Sequence, residues 1–110
     1  MSARILVVED EPAIADAVGD RLDVIVDGGV RRGTDVLKAL ALGAQFVFVG
    51  RPFLFAAVAA GEPGVERALT LLKDEVDRDM ALLGVRTIAE VTPDLVRRLG
   101  PEPPFGRNTP

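Results

Sequence analysis

Two short stretches of the 110-residue chain hold the residue types that grip an anion. The first is Asp27-Gly28-Gly29-Val30-Arg31-Arg32-Gly33, and the second is Gly50-Arg51. Glycine lets backbone N–H groups come close to a phosphate, and the guanidinium of arginine forks onto its oxygens with two parallel hydrogen bonds. Asp27, an acceptor at the head of the first stretch, can hold a sugar or polyol hydroxyl. A third stretch, Glu9-Asp10-Glu11, gathers carboxylates of the kind that bind a hard divalent cation. What is missing weighs as heavily: the chain has no histidine, no tyrosine and no cysteine. Histidine is the usual general base near neutral pH, and cysteine thiolates are the ligands of closed zinc sites.

Each of these stretches follows a short apolar run that can position it. Ile5 to Val8 precedes the acids, Val24-Ile25-Val26 precedes Asp27, and Phe46 to Val49 precedes Gly50. The runs are too short for helices and apolar throughout, as strands buried on both faces of a parallel sheet are. Helical patterns lie between them. Pro12 stands where a first helical turn begins, and Ile14, Val18 and Leu22 keep helical spacing. Thr34 is expected to cap a helix carrying Val36, Leu37, Leu40 and Ala41 on one face, with Gly43 ending it in a left-handed conformation. A short helix from about Phe53 to Ala59 follows, and Pro63 opens a long one. Its Val65, Ala68, Leu69, Leu72, Val76, Met80 and Leu83 keep the 3.6-residue beat of a core-facing or interface stripe. Thr92-Pro93 starts a last short helix that Gly100-Pro101 stops, and the Pro- and Gly-rich residues 101–110 are expected to be a disordered tail.

The order β-α-β-α-β predicts an α/β fold, a three-stranded parallel sheet with flanking helices in a single domain over residues 1–100. In such a sheet the loops after the second and third strands open on the same edge. The helix beginning near Thr34 is expected to turn the positive end of its dipole to an anion held there. Three strands leave two open edges, which predicts self-association, with a homodimer as the simplest form.

Composition narrows the function classes. A formal net charge of −4 and a pI near 4.8 leave no basic surface for nucleic acid. No apolar stretch approaches the roughly 20 residues needed to cross a bilayer, so no membrane partner is expected. The absence of cysteine, with an opening Met1-Ser2-Ala3-Arg4 unlike a signal peptide, predicts a cytoplasmic protein.

From about residue 17 to residue 95, with DGGVRRG and the Gly50-Arg51 after the last strand as its motifs, the chain resembles the C-terminal part of the FMN-dependent α-hydroxy-acid oxidases and dehydrogenases. The resemblance implies an FMN-containing (β/α)8 barrel that oxidises 2-hydroxy acids, with these strands as its last two. It implies that Asp27, Gly28, Gly29 and Arg31, together with Gly50 and Arg51, bind the ribityl phosphate of FMN. The family's substrate-activating histidine, the substrate-binding arginine beside it, its flavin-contacting lysine and its active-site tyrosines lie upstream of the matching stretch. The expectation is therefore no enzyme but a non-catalytic module with weak affinity for FMN or phosphate.

Residues 1–16, MSARILVVEDEPAIAD, resemble the opening strand and helix of a response-regulator receiver domain, whose fold is flavodoxin-like. That resemblance implies Mg²⁺ at Glu9 and Asp10. Two families meeting inside one helix predict a chimera, engineered or recombined, of a flavodoxin-like and a barrel fragment. Plainer readings stand beside these: the glycine loop as a tight turn that binds nothing, Gly50-Arg51 as a strand exit, Glu9 and Asp10 as solvated acids, and the whole as a self-assembling scaffold.

Overall fold

In the computed structural model, which describes residues 23–97, the apolar runs before Asp27 and before Gly50 pair as parallel strands. Strand β1 is Ile25–Asp27 and β2 is Phe46–Phe48, with Ile25 beside Phe46, Val26 beside Val47 and Asp27 beside Phe48. The Gln45 amide donates to the Val24 carbonyl at 2.8 Å, which extends the pairing beyond the strand itself. Among the described residues the sheet has these two strands. The third expected strand, Ile5 to Val8, lies outside the described residues, as does the tail.

Helix α1, Gly33–Ala41, connects the strands. Leu37 and Ala41, one turn apart on its inner face, are buried together with Val91. Leu40, Val76, Met80, Val85, Leu95 and Val96 pack around them. Burying one leucine of this kind contributes roughly 2 kcal/mol, so the cluster is the main cohesive element of the described fold. The helix ends as its sequence predicts: Gly43 takes φ +111°, and the Ala44 amide reaches back to the Ala39 carbonyl at 3.0 Å.

Its start differs from expectation. Arg32, not Thr34, is the N-cap residue, and the capping comes from an acid inside the helix. One oxygen of Asp35 accepts from the backbone amides of both Arg31 and Arg32, at 3.0 Å each. A carboxylate three residues into a helix does this because the first amides of a helix have no partner of their own.

The long helical segment α2 runs Arg51–Leu83 and is broken at Ala60 and Gly61, where φ is −150° and +63°. Pro63 starts the second part, so the expected division into a short and a long helix holds. The expected core stripe holds less well. No residue of α2 is buried. Val76 and Met80 reach the α1 cluster, whereas Leu69 and Leu83 are exposed. Nor do the described residues cover the strands on both faces, since Phe46 and Phe48 are 55% and 50% exposed. The expected last helix is two 3₁₀ turns, Ile88–Glu90 and Pro93–Leu95. Thr92 starts the second of them, and its hydroxyl donates to the Asp94 carboxylate. No helix of the described residues is long and apolar enough to cross a membrane.

Candidate functional site

Because β1 and β2 are parallel and in register, the chain leaves both at the same edge of the sheet. There the β1–α1 loop and the β2–α2 junction enclose a cavity of about 370 Å³. Asp27, Gly28, Gly29, Val30 and Arg31 line it from one side, and Phe48, Gly50, Arg51 and Pro52 from the other. Asp27, Gly28, Gly29, Arg31, Gly50 and Arg51 thus share one cavity, whose size is within the few hundred Å³ typical of small-molecule sites, while Arg32 and Gly33 of the same stretch do not line it.

The turn that shapes one wall depends on glycine. Gly28 and Gly29 have φ of +109° and +74°, a region that L-residues with a Cβ enter only at a cost. A Cβ on Gly28 would meet nothing within 4 Å, so backbone conformation rather than space requires glycine there. Gly50 is different. It has an ordinary negative φ of −102°, and a Cβ on it would also meet nothing within 4 Å.

The helix that offers its positive end to the cavity is α2, not α1. At the start of α1 the amides of Arg31, Arg32 and Gly33 already donate to carboxylates, the first two to Asp35 and the third to Glu75 at 3.0 Å. Thr34 faces another groove, beside Leu37, Asp79 and Leu82. By contrast, Gly50 is the N-cap of α2, proline occupies its first turn and no acid stands there. Its dipole is therefore uncancelled where Gly50 and Arg51 meet the cavity. The proline after Gly50-Arg51 was the available sequence signal for this, since proline favours the first helical position.

The adjacent arginines face different ways. Arg31 lines the anion cavity and also a smaller neighbouring one of about 180 Å³. Arg32 turns to α2, where its Nε donates to the two oxygens of Glu75 at 2.9 and 3.2 Å. These bonds raise the Arg32 guanidinium above its usual value. The Glu75 carboxyl is held below the usual carboxylate value, first by the Arg32 bond and then by the Gly33 amide. Glu75 lies 42 residues from Gly33, beyond the reach of any local pattern in the sequence. Among the described residues no group of three or more acids, cysteines or histidines could hold a metal ion. Glu9 and Asp10 lie outside the described residues.

The sequence profile of the FMN-dependent dehydrogenase family matches residues 3–98. The chain is 61% identical over 77 residues to the L-lactate dehydrogenase (cytochrome) of Saccharomyces cerevisiae, covering 70% of this chain and 13% of that protein. It is 57% identical over 79 residues to glycolate oxidase 1 of Zea mays, covering 72% and 21%. The structure superposes on the flavin-binding domain of baker's yeast flavocytochrome b2 with a TM-score of 0.68 at 50% identity, over 84% of this chain and 26% of that one. Mandelate oxidase with benzoyl-formic acid gives 0.66 at 48% identity, over 73% and 24%. The chain thus spans between about an eighth and a quarter of the length of these proteins.

These relatives overturn one expectation. They are dehydrogenases and oxidases, so the sequence stands among oxidoreductases and the reading of it as no enzyme is corrected. That reading took the activity of a whole protein from a stretch matching a small part of its relatives. Which side chains such a stretch contains does not decide what the whole does.

Proposed function

The chain belongs to the FMN-dependent dehydrogenase family, and from that premise we propose that it supplies the phosphate-gripping segment of an FMN-dependent oxidoreductase acting on 2-hydroxy acids. The observation that carries the reading is the single cavity shared by Asp27, Gly28, Gly29, Arg31, Gly50 and Arg51. Two guanidinium groups, a glycine turn and a helix start without acids suit a phosphate monoester better than a neutral ligand. In this reading Arg31 and Arg51 hold the phosphate oxygens and Asp27 accepts from a ribityl hydroxyl. FMN, when bound, supplies the hydride-transfer chemistry of such enzymes. This chain's residues bind and orient its phosphate end, and with no histidine present proton abstraction is assigned to none of them. The substrate class rests on relatives named for lactate and glycolate.

Titration of the full chain with FMN and with riboflavin tests the reading. A phosphate grip gives clear preference for FMN and competition by inorganic phosphate. Equal affinity for the two flavins overturns it.

We also propose that residues 1–16 derive from a receiver-like parent spliced to the barrel segment at 17–100, with Mg²⁺ at Glu9 and Asp10. The acidic pair after an aliphatic run supports this. The family match beginning at residue 3 weighs against it. Mg²⁺-dependent quenching of a probe that Glu9→Gln leaves unchanged would dispose of the metal site. Cytoplasmic residence, for which the lack of cysteine is the support, belongs with the same proposal.

A further inference from the structure

Arg31 and Arg32 stand side by side at the end of the glycine loop. The carboxylate of Glu75 holds the second of them. It binds Arg32 Nε through both oxygens and takes the Gly33 amide at 3.0 Å through Oε1. The reach is short because α1 begins directly on the α2 backbone. A Cβ on Gly33 would lie 2.7 Å from both the Glu75 Cβ and the Val76 nitrogen. On the other side of the same loop, Asp35 holds the amides of Arg31 and Arg32. The end of the glycine loop is thus pinned between two carboxylates, one from its own helix and one from α2. Arg31 is the residue left facing the cavity, and Glu75 and Arg31 both line the smaller cavity behind it.

We propose that Glu75 is the positioning residue of the anion site: by tying both Arg32 and Gly33 to α2, it fixes the loop that presents Arg31 to the ligand phosphate. The proposal rests on the phosphate-binding reading and adds to it a residue that touches no ligand. Its physical content is preorganisation. A loop fixed before binding loses less freedom on binding, and a guanidinium aimed in advance makes its two hydrogen bonds without rearrangement. Loosening the loop therefore weakens the ligand end that Arg31 holds and leaves the rest of the ligand unaffected.

The test is FMN and riboflavin affinity of the full chain carrying Glu75→Gln, with Arg32→Gln as the partner variant and the double variant closing the cycle. Arg32 has an exposed side chain, so Arg32→Gln breaks the same pair without disturbing packing. Each single change is expected to lower FMN affinity about tenfold and leave riboflavin unchanged, and the double variant to lose no more than either alone. Lys73→Gln, which breaks the exposed Lys73–Asp77 pair on the same helix, is expected to change neither. A Glu75→Gln or Arg32→Gln chain with wild-type preference for FMN overturns the positioning role and leaves the phosphate reading standing. A wild-type chain that does not prefer FMN overturns both.

Discussion

Asp27 and Phe48 are register partners, the last residues of the two parallel strands. From them the chain runs into the glycine turn on one side and into Gly50-Arg51 on the other, so the two loops depart level with each other. That pairing is what converts two separate stretches of sequence into one cavity. A slip of one residue in the register would turn the strand ends to opposite faces and pull the arginines apart.

Removal of either guanidinium should therefore be felt at the same ligand. Arg31→Ala and Arg51→Ala are each expected to weaken FMN by about 10- to 100-fold, the worth of a charge-assisted hydrogen-bond pair, and to leave riboflavin within a factor of two or so. Flavin fluorescence titration measures both. A loss shared equally by the two flavins would show that the arginines support the fold and not the phosphate.

The glycines separate by cause, and substitution by alanine can sort them. Gly33→Ala puts a Cβ 2.7 Å from the Glu75 Cβ and the Val76 nitrogen, so α1 must lift from α2, at about 1–3 kcal/mol. Gly50→Ala meets nothing within 4 Å at a negative φ and should cost under about 0.5 kcal/mol. If Gly50 serves the ligand, its alanine variant folds normally in urea titrations yet binds FMN less tightly. Equal urea midpoints for Gly33→Ala and wild type would contradict the close approach of the two helices.

The acid–base behaviour of the Glu75 pair gives a signed expectation. Its carboxyl is depressed below 4.5 by Arg32 and by the Gly33 amide. A depressed carboxylate contributes stability that is fully present above its unfolded pKa and is lost as pH falls through the folded value. Arg32, whose guanidinium is raised, stays charged throughout that window. The stability difference between wild type and Glu75→Gln should hence be constant near neutrality and shrink as the pH drops below 4.5. Urea midpoints at a series of pH values give the curve, and a difference unchanged in acid would contradict the pairing.

How far these features could be read from the sequence follows from their range along the chain. β1, β2, the glycine stop at Gly43 and the break before Pro63 are local: a few residues of apolar run, a left-handed glycine, a missing N–H. The glycines and arginines that line the cavity could be picked out for the same reason, since glycine and arginine after a strand carry their chemistry in their types. What escaped was long-range. Nothing near Glu75 says that it will meet Arg32, and Thr34 looks like a cap because hydroxyls usually do that work, while Asp35 does it here. The stripe along α2 misled for a different cause. Periodicity shows which face is apolar, but not whether anything in the described residues covers it.

The exposed aromatic pair on β2 gives the last expectation. Phe46 and Phe48, two apart and so on one face of the strand, stack edge to face with ring centroids 5.1 Å apart, and about half of each is open to solvent. Parallel sheets are ordinarily covered on both faces, so such a pair gains by meeting another apolar surface. A second copy of the chain presents the same pair, which makes a two-fold contact self-complementary. Phe46 is the residue to alter, because Phe48 also lines the anion cavity. Phe46→Ser should raise the dimer dissociation constant by about tenfold or more, the worth of one buried aromatic side chain, with the far-ultraviolet dichroism unchanged. Light scattering across a range of concentrations reads this directly. A wild-type chain that stays monomeric across that range would show that this face has no affinity for itself.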